Sequence, residues 1–382
     1  MKITGIQTFL VPPRWLFVKV STDEGVSGWG EASLEGRTDT VRSAILELED
    51  YLVGEDPLPI ERHWQVISKS TFYRGGAVLS TAVSGIDQAL WDIAGKWRGT
   101  PVHELLGGPV RDRARVYSWV GGDIPEKVID EIAERKAAGF NAVKMNASGP
   151  LEHLDNPGAI GRVVALASSA REALGPDGDF ALDFHGRFSA SMARRVLREL
   201  EPLHPMFVEE PVLPEFTGMR LRDVTQSTVI PIATGERLFS RSDFLPALRS
   251  GIAVAQPDLS HCGGISEVRR VAALAECFNV TLAPHCPLGP IALAASLQVA
   301  FVTPNFLIQE QSAGIHYNQG NDLLDYLVDP SVFTYEGGYC QRPDKPGLGI
   351  EVDEAAVRQA AELGHHWRAP HWHHLDGSFA EW

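Results

Sequence analysis

The feature that most constrains the fold is a series of polar residues that end short apolar segments at nearly constant intervals. Eight such segments alternate with amphipathic, helix-like stretches between residues 113 and 325. The polar residues that end seven of them are Lys144, Asp183, Glu209, Glu236, Asp258, His285 and Glu310. From Asp183 onward these residues are 22 to 27 positions apart, about one strand and one helix. Eight strands with seven or so crossovers predict a parallel α/β barrel rather than an open sheet.

The regions on either side of this repeat differ from it in composition. Residues 1–112 begin with alternating strand-like segments and continue with helical ones, which predicts an α+β domain. Residues 326–382 are rich in Pro, Gly, His and Trp, and we interpret them as a segment that packs back on the N-terminal domain. Its cluster from His365 to His374 is compatible with a metal site, but packing of Trp and His between domains is the preferred interpretation.

Charge and cysteine content limit the function classes. Lys plus Arg number 34 against 49 Asp plus Glu, and the net charge of −15 argues against nucleic acid or an anionic membrane as a partner. The absence of a signal-peptide pattern and of a spanning apolar segment predicts a cytoplasmic protein. The four cysteines lack C-x-x-C spacing and are expected to be reduced. Cys286, beside His285, has the chemistry of a nucleophile, but a packed thiol is favoured.

Three acidic residues on consecutive predicted strands indicate a metal site. In a parallel barrel the strand ends meet at one mouth, so Asp183, Glu209 and Glu236 should converge there. Buried carboxylates repel one another, and an all-oxygen set suits Mg²⁺, with Mn²⁺ as the natural substitute. The alternative is a structural carboxylate network neutralised by Arg187 and Arg237.

Two histidines at the same mouth indicate proton transfer. Asp258 and His285 end neighbouring strands, and a carboxylate beside an imidazole fixes its tautomer and raises its proton affinity. His285 is therefore a candidate general base with Asp258 as its orienting group. His185 follows Asp183 by two positions, so in a strand both point to the same face, beside the predicted metal.

The segments that carry these residues resemble the enolase superfamily, mandelate racemase subgroup, along essentially the whole chain. They are A-L-D-F-H-G-R, F-V-E-E-P-V, A-T-G-E-R-L-F-S-R, A-Q-P-D-L-S-H-C-G-G-I, L-A-P-H-C-P-L-G-P-I-A-L, Q-E-Q-S-A-G-I-H-Y-N-Q-G and G-S-F-A-E-W. The resemblance implies a modified (β/α)7β TIM-type barrel, an N-terminal capping domain and a C-terminal segment that returns to the cap. It also implies Mg²⁺ on Asp183, Glu209 and Glu236, a protonated Glu310 that hydrogen-bonds the substrate carboxylate, and a homo-oligomer.

One departure from the racemase pattern bears on the reaction. Racemases of this subgroup carry K-x-K on the second strand, where this chain has Lys144-Met145-Asn146, and Asn146 has no titratable proton. The D-x-H on the third strand resembles acid sugar dehydratases, and the last four of the segments quoted above resemble the galactonate enzymes of that group in particular. A Mg²⁺-dependent hydro-lyase that removes water from D-galactonate is therefore expected. The alternatives are a dehydratase of gluconate, fuconate or mannonate, a sugar-acid racemase or epimerase, and a non-catalytic sugar-acid binding protein.

Substrate contacts outside the strand ends are expected mainly in the cap. Arg14 and Trp15 in P-P-R-W, and Tyr73 and Arg74 in F-Y-R-G-G, are the polar and aromatic candidates, and packing between domains explains each of them equally well. Asn146 is a further candidate at the barrel mouth, where Lys144 is expected to add a hydrogen bond.

Overall fold

The N-terminal domain pairs a small antiparallel sheet with a set of helices. The computed structural model describes residues 1–121, 125–315, 318 and 320–381, so part of the Q-E-Q-S-A-G-I-H-Y-N-Q-G motif and the last residue of G-S-F-A-E-W lie outside the described residues. The sheet has the order β1 (Ile3–Val11), β2 (Trp15–Thr22), β3 (Ser27–Glu31). The helices are α1 (Thr38–Glu47), α2 (Glu49–Leu52), α3 (Ile60–Lys69), α4 (Gly76–Arg98) and α5 (Val102–Leu105).

Eight parallel strands then form the barrel that the repeat predicts. They are β4 (Arg113–Trp119), β5 (Ala142–Asn146), β6 (Asp179–Asp183), β7 (Phe207–Glu209), β8 (Ile232–Thr234), β9 (Val254–Ala255), β10 (Thr281–Leu282) and β11 (Gln309–Glu310). Consecutive strands pair from β4 to β10, and β11 pairs with β4. A bridge between Leu282 and Phe306 closes the remaining gap. The expected (β/α)7β barrel with an α+β cap is confirmed.

Seven helices cover the outside of the barrel. They are α6 (Pro125–Ala137), α7 (Pro157–Leu174), α8 (Ala190–Leu200), α9 (Leu221–Thr225), α10 (Arg241–Arg249), α11 (Gly264–Cys277) and α12 (Pro290–Val302). Short 3₁₀ turns follow α8 and β7 and occur twice more between residues 323 and 333. No helix formed by the described residues is both long and apolar enough to cross a membrane.

A layer of apolar side chains fills the interior of the barrel below its mouth. Each strand region contributes one side chain, and the layer consists of Tyr117, Ala142, Ala181, Phe207, Ala233, Val254, Ala283 and Ile308. The two large rings, Tyr117 and Phe207, have centroids 6.5 Å apart and fill the space that the alanines leave. Polar groups carried on the strand ends therefore lie above a closed apolar floor.

The C-terminal segment contacts both domains. Strands β12 (Tyr335–Glu336) and β13 (Tyr339–Gln341) extend the barrel sheet, with β13 antiparallel to β4. Helix α13 (Glu354–Leu363) packs against β1, and its Glu354 forms an ion pair of 2.6 Å with Lys19 of β2. The segment ends in a hairpin of β14 (Trp372–His373) and β15 (Phe379–Ala380).

Buried carboxylates of the cap bind the N-termini of two barrel helices. Glu31 accepts hydrogen bonds from the backbone N–H groups of Gly289 (2.8 Å) and Ala292 (3.0 Å) at the start of α12. Asp87 accepts from Ser266 N (3.0 Å) and Ser266 Oγ (2.5 Å) in α11. The first N–H groups of a helix lack intrahelical partners and attract negative charge. These contacts therefore fix the cap over the mouth of the barrel.

We expect Asp87→Ala to lower the free energy of unfolding by about 1–3 kcal/mol, because buried donors of α11 lose their acceptor. Asp50→Ala, an exposed carboxylate of α2, serves as the control and should change it by less than about 0.5 kcal/mol. Urea unfolding followed by circular dichroism measures both variants. Equal stability of the two variants would contradict this role of Asp87.

Candidate active site

The register of β5, β6 and β7 places the polar residues at their ends side by side. Asn146 pairs with Asp183, and Asp183 pairs with Glu209. Lys144 lies opposite Ala181, two residues deeper on the same face of β5 as Asn146. Lys144, Asp183 and Glu209 are all fully buried. Glu236 follows β8 by two residues and completes the predicted carboxylate set.

Each of the three carboxylates has one buried oxygen without a hydrogen bond. These atoms are Asp183 Oδ2, Glu209 Oε1 and Glu236 Oε2. Burial, and after it the charge of Asp183, raises the pKa of Glu209 to about 7. Burial, then the charge of Glu210, raises the pKa of Glu236 well above its usual value. Unsatisfied, mutually repelling oxygens of this kind fit a divalent cation that prefers oxygen ligands.

One group of candidate ligand atoms includes an imidazole beside two carboxylates of the expected all-oxygen set. Ligand atoms of Asp183, His185 and Glu236 all lie within 4.8 Å of one another. Glu209 instead directs Oε2 to Lys144 Nζ at 2.7 Å. The reason is that Lys144 is the nearest positive charge to Glu209, which leaves Oε1 as its available oxygen. An imidazole therefore accompanies the carboxylates, which the spacing of acidic residues alone did not indicate.

The alternative of an arginine-neutralised network is not supported by where the two arginines bind. Arg237 Nε donates to Glu210 Oε1 at 2.9 Å and comes only within 4.0 Å of Glu236. Arg187 donates to the backbone carbonyl of Ser148, and its guanidinium lies 4.3 Å from the centroid of the Trp372 ring. Arg237 is thus bound more closely to Glu210 than to Glu236.

His285 is oriented by Asp258 on the neighbouring strand end. A backbone bridge pairs the two residues, and His285 Nδ1 lies 2.7 Å from Asp258 Oδ2. Asp258 Oδ1 is held by the backbone N–H of Ser260 at 2.6 Å. Burial lowers the pKa of His285, but the charges of Glu236 and Glu310 and the Asp258 hydrogen bond raise it more, so it lies well above its usual value. Because Nδ1 faces Asp258, Nε2 faces the carboxylate cluster, 3.3 Å from Glu236 Oε2.

His185 also lies next to Glu236. Its backbone N–H donates to Asp183 Oδ1 at 2.8 Å, and its Nε2 is 3.0 Å from Asp183 Oδ2. The ring stacks on Trp119, with centroids 6.3 Å apart and planes 7° from parallel. Its φ of 48° is in the left-handed region, where residues other than glycine are uncommon and often functional. The two imidazoles therefore flank one carboxylate.

Lys144 and Glu310 form a second charged pair on the floor of the site. Lys144 Nζ lies 3.0 Å from Glu310 Oε1, which also accepts from Trp119 Nε1 at 2.6 Å. The backbone N–H of Cys286 donates to Glu310 Oε2 at 2.9 Å. Burial raises the pKa of Glu310, but Lys144 and His285 lower it more, and the net shift is downward. Three donors therefore stabilise the carboxylate form of Glu310, and its protonation with substrate bound stays a prediction.

The thiol of Cys286 is buried, and burial raises its pKa well above the usual value. A thiol held in its protonated form is a poor nucleophile. The geometry agrees with the packing role favoured for Cys286.

A cavity of about 1010 Å³ opens above these groups. Arg14 and Asn146, both predicted substrate contacts, line it. Trp15 is fully buried against the rings of Phe17 in the cap and Tyr326 in the C-terminal segment. Tyr73 and Arg74 line a separate cavity of about 450 Å³, and Tyr73 is 82% exposed. The structure therefore brings two of the five predicted contacts to the site and not the other three.

Several residues at the site were missed by the sequence analysis. Trp119 is opposite Lys144 in the register of β4 and β5, so reading the end of the first strand would have found it. His261 lines the cavity, with Nδ1 3.7 Å from Asp258 Oδ2, and its signal is its place three residues after Asp258. Trp367, Arg368 and Trp372 also line the cavity, and no local sequence signal places them there.

Two family models match the chain. Residues 8–107 match the N-terminal domain of mandelate racemase / muconate lactonizing enzyme, and residues 127–356 match the enolase C-terminal domain-like family. Curated relatives include a D-galactonate dehydratase of Ralstonia pickettii, 52% identical, and one of Ralstonia nicotianae, 53% identical. Each alignment covers 100% of both chains.

Solved structures share the fold over nearly the whole chain. An enolase from Agrobacterium radiobacter, provisionally described as a galactarate dehydratase and bound to Na and L-malate, has a TM-score of 0.92 at 33% identity and covers 100% of both chains. A mandelate racemase/muconate lactonizing enzyme from a Sulfitobacter species has a TM-score of 0.87 at 32% identity, covering 97% of this chain and 99% of its own.

We expect Mg²⁺ to raise the thermal unfolding midpoint of chelator-treated protein, because ions that bind the folded chain stabilise it by about 2.7 kcal/mol at 100 times the dissociation constant. Glu209→Gln should reduce this shift, since it removes a candidate ligand. Glu310→Gln removes a buried carboxylate of the same site that is not a candidate ligand and should keep the shift. An undiminished shift in Glu209→Gln would exclude Glu209 from the metal site.

Proposed function

The chain belongs to the enolase superfamily, in its mandelate racemase / muconate lactonizing enzyme subgroup, and from this premise we propose that it is a D-galactonate dehydratase. Such a hydro-lyase removes water from D-galactonate and yields 2-dehydro-3-deoxy-D-galactonate. The observation that carries the proposal is that His185 and His285 both lie next to Glu236 and line one cavity. Full-length identity of 52–53% to curated D-galactonate dehydratases supports the choice of substrate.

His285 is the proposed general base. Its Nε2 faces the cavity while Asp258 holds Nδ1 at 2.7 Å, so the ring is oriented to remove the proton from C2 of the substrate. Asp258 also stabilises the imidazolium that results. Removal of the proton gives an enediolate that carries a second negative charge next to the carboxylate.

His185 is the proposed general acid. It lines the same cavity and is fixed by Asp183 and by the face of Trp119. From there its imidazolium donates a proton to the departing 3-hydroxyl, which leaves as water. The resulting enol gains a proton at C3 and becomes the 2-keto-3-deoxy acid. β-Elimination of water requires a base for the C2 proton and an acid for the leaving hydroxyl, and the two histidines supply both in one cavity.

The charge that grows on the substrate must be stabilised by more than one group. A unit charge pair about 4 Å apart is worth about 4 kcal/mol at an effective dielectric of about 20, whereas enzymes lower barriers by about 8 kcal/mol or more. Lys144 alone therefore does not suffice. Asp183, Glu209 and Glu236 would hold Mg²⁺, with Mn²⁺ as a substitute, and the bound ion supplies the additional positive charge.

A racemase or epimerase would need a second base on the face opposite His285. Asn146 stands where racemases of the subgroup place that lysine, and it cannot accept a proton from C2. Lys144 is engaged with Glu209 and Glu310 on the floor of the site. These positions favour elimination. Exchange of the C2 proton with solvent deuterium without loss of water would favour the racemase instead.

The proposal also covers the substrate class, which is a small acid sugar, and the location and assembly of the enzyme. All four cysteines are free thiols, which supports a cytoplasmic location. A homo-oligomer is proposed from the family resemblance.

Incubating the purified protein and Mg²⁺ with a panel of hexonates tests the proposal, and D-galactonate should give the highest rate of 2-keto acid formation. D-gluconate, L-fuconate, D-mannonate and galactarate are the competing substrates. A higher rate with one of them would overturn the substrate assignment but keep the dehydratase. Binding of an acid sugar without turnover would indicate a binding protein.

We expect His285→Asn to lose dehydration and C2 deuterium exchange together, by about 10²- to 10⁴-fold, because the base is gone. His185→Asn should lose dehydration to a similar degree but retain exchange at C2. His204→Asn is a matched control, because His204 is an exposed histidine with nearly the same backbone, φ 49° against 48°. Normal dehydration by His185→Asn would exclude its acid role. Mass spectrometry and a keto-acid assay provide the two readouts.

A further inference from the structure

We propose that residues 365–374, named here the C-terminal strap, form one wall of the active site, and that Arg368 determines specificity by binding acid-sugar hydroxyls remote from the carboxylate. The inference rests on the proposed function insofar as the ligand is an acid sugar. The strap is the His- and Trp-rich motif whose role the sequence left open between metal binding and packing. Among the described residues, the groups that could hold a metal include no histidine of the strap.

The strap spans the mouth of the barrel and is held at both ends. At the cap end, a Cβ added to Gly36 would lie 3.7 Å from both the backbone N of Ala369 and the ring of Trp367, so cap and strap are in contact there. At the barrel end, His374 Nδ1 lies 3.3 Å from Glu152 Oε1. Two anchors on different domains place the strap between them.

The middle of the strap lines the cavity that contains the catalytic histidines. Trp367, Arg368, Pro370 and Trp372 are part of the wall that also includes His185 and His285. The Arg14 guanidinium lies 5.6 Å from the centroid of the Trp367 ring, which joins the strap wall to the cap wall. The cavity is therefore bounded by three elements: the strand ends, the cap and the strap.

Arg368 differs from the other cavity arginines in its partners. Arg14 is paired with Glu35 (2.9 Å) and Arg237 with Glu210 (2.9 Å), and Arg187 donates to a backbone carbonyl and lies over Trp372. Among the described residues Arg368 has no hydrogen bond, ion pair or ring contact, and it is exposed to the cavity. A guanidinium offers five N–H donors in a fixed plane, which suits a row of hydroxyl groups.

The two ends of a bound acid sugar would lie at different depths in the site. Lys144, Asp183 and Glu209 are fully buried beneath the cavity and Glu236 lines it, whereas Arg368 is exposed on its wall. A substrate whose acid end meets the floor extends its remaining hydroxyls toward the rim. Arg368 therefore contacts the hydroxyls beyond C3 and takes no part in proton transfer.

The test combines three variants with two substrates. Arg368→Ala should raise KM for D-galactonate about 10- to 100-fold with kcat changed less than about twofold, since a charged hydrogen bond is lost in binding. A four-carbon 2,3-dihydroxy acid with the same configuration at C2 and C3 lacks the remote hydroxyls, and its KM should not change. Arg368→Lys should recover part of the galactonate affinity. His371→Ala, an exposed strap residue outside the cavity wall, should behave like the wild type.

Equal losses for both substrates would overturn the proposal and indicate a structural role for Arg368. An unchanged KM for D-galactonate in Arg368→Ala would overturn it as well. Titration calorimetry with Mg²⁺ present makes the same comparison without turnover. If the wild type binds D-galactonate but does not dehydrate it, the proposed function fails, while a loss of affinity confined to the longer acid still supports the role of Arg368.

Discussion

The structure of the site follows from an excess of negative charge buried at the barrel mouth. One ammonium group, Lys144 Nζ, lies 2.7 Å from Glu209, 3.0 Å from Glu310 and 3.9 Å from Asp183, and cannot neutralise all three. Buried charge without compensation is strongly destabilising, so these carboxylates require further positive charge. The oxygens without hydrogen bonds on Asp183, Glu209 and Glu236 are the positions at which a cation would supply this positive charge. The same requirement creates an environment that stabilises a substrate dianion, and the proposed chemistry depends on it.

The fold confines this charge to one layer. Below it, the apolar layer of the barrel excludes water, and the rings of Tyr117 and Phe207 fill its centre. Above it, the cap is held by Glu31 and Asp87 at the N-termini of α12 and α11. Carboxylates thus appear in two roles: those of the cap are satisfied by helix N–H groups, and those of the strand ends are left partly unsatisfied. Only the second kind can serve as ligands for an ion.

The sequence predicted those features of the site that follow from the regular spacing of the strand ends. Strand ends at one-unit intervals placed Asp183, Glu209 and Glu236 on adjacent strands, and adjacency alone predicted the contact of Asp258 with His285. The hydrogen-bond partners were not predictable in this way, because they depend on side-chain geometry: Glu209 binds Lys144 with one oxygen, and Glu310 accepts from Trp119 Nε1 and the Cys286 N–H. The position of the C-terminal strap could not be predicted either, because it depends on contacts with residues such as Gly36 and Glu152, which are distant in the sequence.

Chemistry and recognition are carried by different parts of the chain. The groups proposed to move protons are attached to barrel strands whose register fixes them relative to one another, as the bridge between Asp258 and His285 illustrates. The cap is bound to the barrel by hydrogen bonds such as those of Glu31 and Asp87, and the cap and the strap meet near Trp367. A change at the rim can therefore alter which acid sugar is held without moving the base or the acid. Because the strap is anchored on both domains, its position also depends on how the cap is seated, which couples recognition to the docking of the two domains.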